Sequence, residues 1–98
     1  MKIADAVVYQ KGAIVSQEIV RKPSGTVSVF AFDKGQGLSE HTAPFDAIVH
    51  MLDGEAAIRI AGKLRRVKKG ELIIMPANKP HALKADKRFK MMLVMIRS

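Results

Sequence analysis

Short apolar runs recur along this chain every eight to twelve residues, and each closes on a glycine, a proline or an Asx-containing turn. That rhythm marks an all-β sandwich or barrel, because a strand crosses a small domain in about five or six residues and must then reverse. The runs predict strands over Ile14–Val20, Thr26–Phe32, Leu38–Thr42, Phe45–Leu52, Ala56–Ala61, Leu64–Val67, Leu72–Met75, His81–Lys84 and Phe89–Ile96. Between them lie Pro23-Ser24-Gly25, Lys34-Gly35-Gln36-Gly37, Asp53-Gly54, Gly62-Lys63, Lys69-Gly70 and the stretch from Pro76 to Pro80. Asp53-Gly54 reads as a tight hairpin, since both residues tolerate positive φ. No segment holds a 3.6-residue apolar period for three turns, so little helix is expected.

Two runs are more apolar than a one-sided sheet requires. In Ala47–Leu52 and Met91–Ile96 successive side chains point to opposite faces, yet both faces are apolar. Only one face can line an interior, so the other needs a cover. A second copy of the chain is the simplest cover, and a homodimer is expected; the N-terminal segment over the last strand is the alternative. His50 falls on the outward parity of its strand.

Composition narrows the class. Ninety-eight residues with 48% hydrophobic content suit one domain spanning 1–98 with a core of its own. The absence of cysteine excludes disulfides, thiolate ligands and a cysteine nucleophile together. The N-terminus lacks the apolar stretch of a signal peptide, and no run approaches the roughly 18 apolar residues of a membrane span. A cytoplasmic protein without a membrane partner is expected. Charge is placed unevenly: residues 1–58 carry five Lys/Arg against seven Asp/Glu, and residues 59–98 carry twelve against two. Such asymmetry is shared by anion-binding faces and by plain solvated rims. With one Tyr, four Phe and no Trp, stacking platforms are scarce, which argues against nucleic acid as the partner.

Two segments together resemble the paired motifs of the cupin superfamily. The first runs from Gly35 through five residues to His41-Thr42-Ala43, then three residues to Ala47, then six to Gly54. The second runs from Gly70 through five residues to Pro76-Ala77-Asn78, then two residues to His81, then three to Ala85. Together they span residues 35–85, about half the chain. The resemblance implies a jelly-roll β-barrel with its site at the motif positions. Asn78 stands where the family has glycine, and asparagine is among the side chains that best tolerate left-handed backbone.

The family motif places two histidines and a glutamate in the first segment and a histidine in the second around a divalent metal. Here His41 and His81 stand at two of those positions, while Ala43 and Ala47 stand at the other two. Two imidazoles with water suit a weakly held Zn, Ni, Cu or Fe ion rather than Mn or Mg. Asp46 lies one step from position 47 and so on the opposite face; Glu40 has the same parity problem against His41 unless a bulge intervenes. Ala43, Phe45, Ala47, Val49 and Met51 share parity and are expected to line a ligand pocket. The alanines widen it and make it more apolar, and the methionines Met51, Met75, Met91, Met92 and Met95 could adapt to a guest or simply fill the core.

No serine lies in a nucleophile elbow, and Gly35-Gln36-Gly37 is too short for a phosphate loop. The expected function is a small-molecule-binding barrel with a reduced two-histidine site, in a binding or regulatory role. The alternative is a metal-dependent dioxygenase, isomerase or decarboxylase whose metal is held by His41 and His81 plus water or substrate.

Overall fold

The structure is a computed structural model that describes residues 1–97. After a short 3-10 turn over Ile3–Ala6, the chain forms nine strands: β1 (Ile14–Lys22), β2 (Gly25–Phe32), β3 (Gly37–His41), β4 (Asp46–Asp53), β5 (Glu55–Ile60), β6 (Lys63–Lys68), β7 (Leu72–Met75), β8 (His81–Lys84) and β9 (Phe89–Ile96). All nine apolar runs became strands, with ends moved by at most two residues. The strands pair antiparallel into a five-stranded sheet, order β1-β2-β9-β4-β7, and a four-stranded sheet, order β3-β8-β5-β6. Most neighbours are distant in sequence. This is the crossing order of a jelly roll, as the motif resemblance implied.

The interior forms between the inner faces of the two sheets. On β4, Ala47, Val49 and Met51 are buried, while Ile48, His50 and Leu52 alternate to the other side. Phe32 and Phe89 face each other across β2 and β9 with rings stacked at 4.6 Å, and both are fully buried. Burying side chains of this size contributes about 1.5–3 kcal/mol each. They are the principal staples of a chain with no disulfides.

One turn differs from the expectation. Asp53-Gly54 does not close a hairpin, because β4 and β5 belong to different sheets. Gly54 is instead a corner where the chain changes sheets. Its φ is +73°, and a Cβ there would run into the backbone of Arg88 and Phe89. The local signal for a tight turn was real, but a corner between packed sheets needs the same glycine. A two-residue hairpin lies one strand later, at Ala61-Gly62, where φ is 49° and 83°. Both central residues at positive φ is the type I′ pattern that matches strand twist.

The outer face of the five-stranded sheet is covered at one end only. Val7, with Ile3, Ala6 and Tyr9, packs against Val29 and Ala31. The segment is clasped by the Tyr9 hydroxyl donating to Asp53 Oδ2 at 2.6 Å and by Lys90 Nζ donating to the Ala4 carbonyl at 2.7 Å. Burial, reinforced by the Asp53 carboxylate, pushes the Tyr9 hydroxyl's pKa upward and keeps it a donor. Beyond this strap Leu72, Ile74, Ile96 and Val20 remain 41–60% exposed. His50, paired across the strands with Leu72 and Met92, lies on this same face.

Candidate functional site

His81 is the first residue of β8 and His41 the last of β3, and the register sets them opposite each other. Plain alternation from Leu38, which packs into the interior, would turn His41 outward. A bulge between Leu38 and His41 absorbs one extra residue on β3 and turns it back inward. The loops that carry the two motifs are then tied together. Asn78, at φ 64°, donates its backbone N–H to the Ala43 carbonyl at 2.8 Å. The Ala77 N–H donates to Asp46 Oδ1 at 2.9 Å. Asp46 thus braces the loop before His81 and does not turn toward the histidines.

Each imidazole is oriented by a carbonyl two residues before it. His41 Nδ1 lies 2.8 Å from the Ser39 oxygen and His81 Nδ1 lies 3.2 Å from the Lys79 oxygen. A carbonyl only accepts, so each Nδ1 carries the proton, and in a neutral ring Nε2 is then a bare lone pair. The two Nε2 atoms stand 3.0 Å apart, with the rings edge-to-face. Two lone pairs that close repel unless something positive lies between or beside them. A shared proton, a hydrogen-bond donor from a guest, or a metal ion each meets that need. His81 is 6% exposed while His41 is open to solvent. Burial, and then the neighbouring His41, holds the His81 pKa below its ordinary value, against the opposing pull of the Lys79 carbonyl.

Behind the pair lies a cavity of about 60 Å³ walled by Ala43, Ala47, Leu38, Leu83 and Leu93, with Met75, Met91 and Met95. The thioether wall has a register cause: Met75 and Met95 flank Ala47 on the strands either side. Of the positions expected to line a pocket, Ala43 and Ala47 reach this cavity. Val49 and Met51 lie on the same inner face but in the close-packed core. Phe45 lies apart, its ring beneath the Arg97 guanidinium at 4.9 Å, because the chain crosses between sheets after His41 and strand parity does not carry through. Leu38, Leu83 and Leu93 were not singled out from the sequence; inward parity on their strands was the available signal.

The donor set is small. Among the described residues no three His, Cys, Asp or Glu side chains cluster as metal ligands. The four-ligand shell of the motif does not fit this chain. What fits is a two-imidazole grip with its remaining positions filled by water or a guest.

Comparison with known proteins agrees with the motifs. The cupin domain family model matches residues 28–97. A conserved protein of unknown function from Streptococcus pyogenes is 36% identical over all of this chain and 86% of its own, with a TM-score of 0.96. A cupin 2 conserved barrel domain protein from Leptotrichia buccalis is 43% identical over 99% of this chain, at a TM-score of 0.96; this chain spans only 47% of it. A cupin superfamily protein from Desulfitobacterium hafniense shares the fold at a TM-score of 0.95 and 23% identity, over 100% of this chain and 90% of its own. No curated protein matches the chain.

Proposed function

The chain belongs to the cupin family, and from that premise we propose that it is a cytoplasmic small-molecule-binding barrel whose guest is gripped by His41 and His81 in a binding or regulatory role. The carrying observation is the pair of Nε2 atoms 3.0 Å apart, each left bare in a neutral ring whose Nδ1–H donates to a backbone carbonyl. The pair calls for a donor. A hydroxylated or protonated acidic ligand supplies one, presenting that group to the two nitrogens from beside them. The cavity of about 60 Å³ has room for only a water or two, by the roughly 30 Å³ each fills in the liquid. The rest of such a ligand therefore lies across the exposed edge of His41. A second copy of the chain over the open apolar face of the five-stranded sheet belongs to the same proposal.

The same bare nitrogens favour a second reading, a metal-dependent enzyme of the dioxygenase, isomerase or decarboxylase type. His41 and His81 would hold a transition-metal ion there, and the ion would supply Lewis acidity to a substrate at its open positions. The chain's own part is to orient both rings through Ser39 and Lys79 and to keep water out with the leucine and methionine wall.

Metal analysis and denaturing mass spectrometry of untagged protein after mild purification test both. An organic molecule released by the wild type and missing from a His41→Ala, His81→Ala double variant supports the binding barrel. Stoichiometric Fe, Ni, Cu or Zn lost in that variant supports the enzyme. A guest retained equally by the folded double variant overturns the two-histidine site.

A further inference from the structure

A second hollow lies outside the barrel. It lies on the outer face of the four-stranded sheet, about 510 Å³, and none of the motif histidines reaches it. Its floor is made of side chains too short to fill it: Gly37, Ala57 and Ala82. The register explains the shape. Arg66, Ala57, Lys84 and Gly37 form one row across β6, β5, β8 and β3, and Arg59 stands in the next row between Leu64 and Ala82. Two cations thus flank Ala57 at roughly 9–10 Å, two strand spacings apart, and a third stands beside them. Long charged posts around a floor of small residues leave a hollow whose walls are positive.

We infer that this hollow binds a small organic molecule bearing a doubly charged anionic group, a phosphate monoester, through Arg59, Arg66 and Lys84. The charge count sets the valence. Three cations line the hollow with one carboxylate, Asp86, leaving a net charge of two to be met. Asp86 reaches Arg66 at 3.2 Å with both side chains about half exposed, a pairing weak enough for a stronger anion to replace. Among the described residues no carboxylate comes within ion-pair distance of Arg59 or Lys84. Arg59 is oriented all the same, by donating Nη1 to the Gly62 carbonyl at 3.2 Å across the hairpin. Two guanidinium forks and one ammonium suit a phosphoryl group, since the fork pairs with two oxygens at once. The volume exceeds that of a phosphoryl group alone and falls in the range of small-molecule sites. Leu64, exposed beside Arg59, offers apolar surface for the remainder of the ligand. No aromatic side chain lines the hollow, which removes the stacking that a single-stranded nucleic acid would use.

The test is a titration of the ¹⁵N-labelled full chain with phenyl phosphate at pH 7.5, where the group is mostly dianionic. Amide shifts are expected at Gly37, Ala57, Ala82 and Lys84. Arg59→Ala and Lys84→Ala should each weaken binding about five- to tenfold, and Asp86→Ala should strengthen it by freeing Arg66. Lys69→Ala makes the same change in charge away from the hollow and should leave affinity within about twofold if the site is built rather than diffuse. Phenyl sulfate, with one charge, should bind more weakly. Shifts spread over all basic surfaces, equal loss in Lys69→Ala, or equal affinity for phenyl sulfate would overturn the proposal. Duplex DNA binding more tightly than phenyl phosphate, with a steep salt dependence, would overturn it in favour of a nucleic-acid backbone.

Discussion

The outer faces of the two sheets are made by the same alternation and have opposite characters. On the five-stranded sheet the outward positions include Ile48, Leu72, Ile74, Met92, Val94 and Ile96, with His50 and Asp46 among them. On the four-stranded sheet they include Arg59, Arg66, Lys68 and Lys84, with Glu55 and Leu64 among them, spaced by Ala57, Ala82 and Gly37. An antiparallel sheet needs one covered face; what its other face carries is free to serve association or recognition. An apolar face calls for another surface to exclude water, whereas a cationic face repels a second copy of itself and attracts anions. The difference also explains the N-terminal strap. It covers Val29 and Ala31, at the strap's end of the apolar face, and makes no use of the basic one.

The largest effect is expected on the apolar face. If a second copy covers it, the wild type migrates near twice 10.8 kDa in sedimentation. Leu72→Asp with Ile74→Asp should then weaken association by roughly a hundredfold or more, since buried anchors of this kind cost about 2 kcal/mol each. A wild type that stays monomeric at high concentration would break the contrast between the faces. Next comes the hairpin of the basic sheet. Ala61 adopts φ 49°, a conformation costing an alanine about 1–2 kcal/mol, so Ala61→Asn should raise stability by about 1 kcal/mol in denaturant unfolding. No gain there would mean that the strand pair, rather than the turn, sets the local stability.

The acid response of the seam between the motifs is smaller. His81 has its pKa held below the ordinary 6.5, so the unfolded chain binds the proton more readily than the folded one. The stability it contributes is complete above that ordinary value and is lost as pH falls through the lowered folded value. Denaturant midpoints should therefore drop on acidification below about pH 6.5, and His81→Gln should flatten that part of the profile. A slope unchanged in the variant would assign it to other groups. Smallest of all, Arg66→Ala should change stability by no more than about 0.5 kcal/mol, because its pair with Asp86 is half exposed. A larger loss would show that the cations hold the sheet together rather than wait for a ligand.

Much of this was legible in the residues. Apolar runs closed by turn residues exposed every strand, and the motif spacing marked His41 and His81 as partners before any coordinates placed them 3.0 Å apart. Ala43 and Ala47 were legible as cavity wall for the same reason. Phe45 was not, because parity fails where the chain leaves one sheet for the other. Asp53-Gly54 was read as a hairpin because positive φ serves both a turn and a corner, and only the partner strands tell them apart.

The sequence by itself determined the strands, the inward and outward sets along Ala47–Leu52, and the loss of two of four ligand positions. These depend on the order of neighbours along the chain, which periodicity records directly. Only the tertiary structure decided that a bulge turns His41 inward, that Met75 and Met95 close in on Ala47, and that Arg66 and Lys84 stand two strands apart around an empty floor. Each of those facts is a pairing between strands remote in sequence. Register between such strands is settled by packing both sheets at once, and no local pattern encodes it.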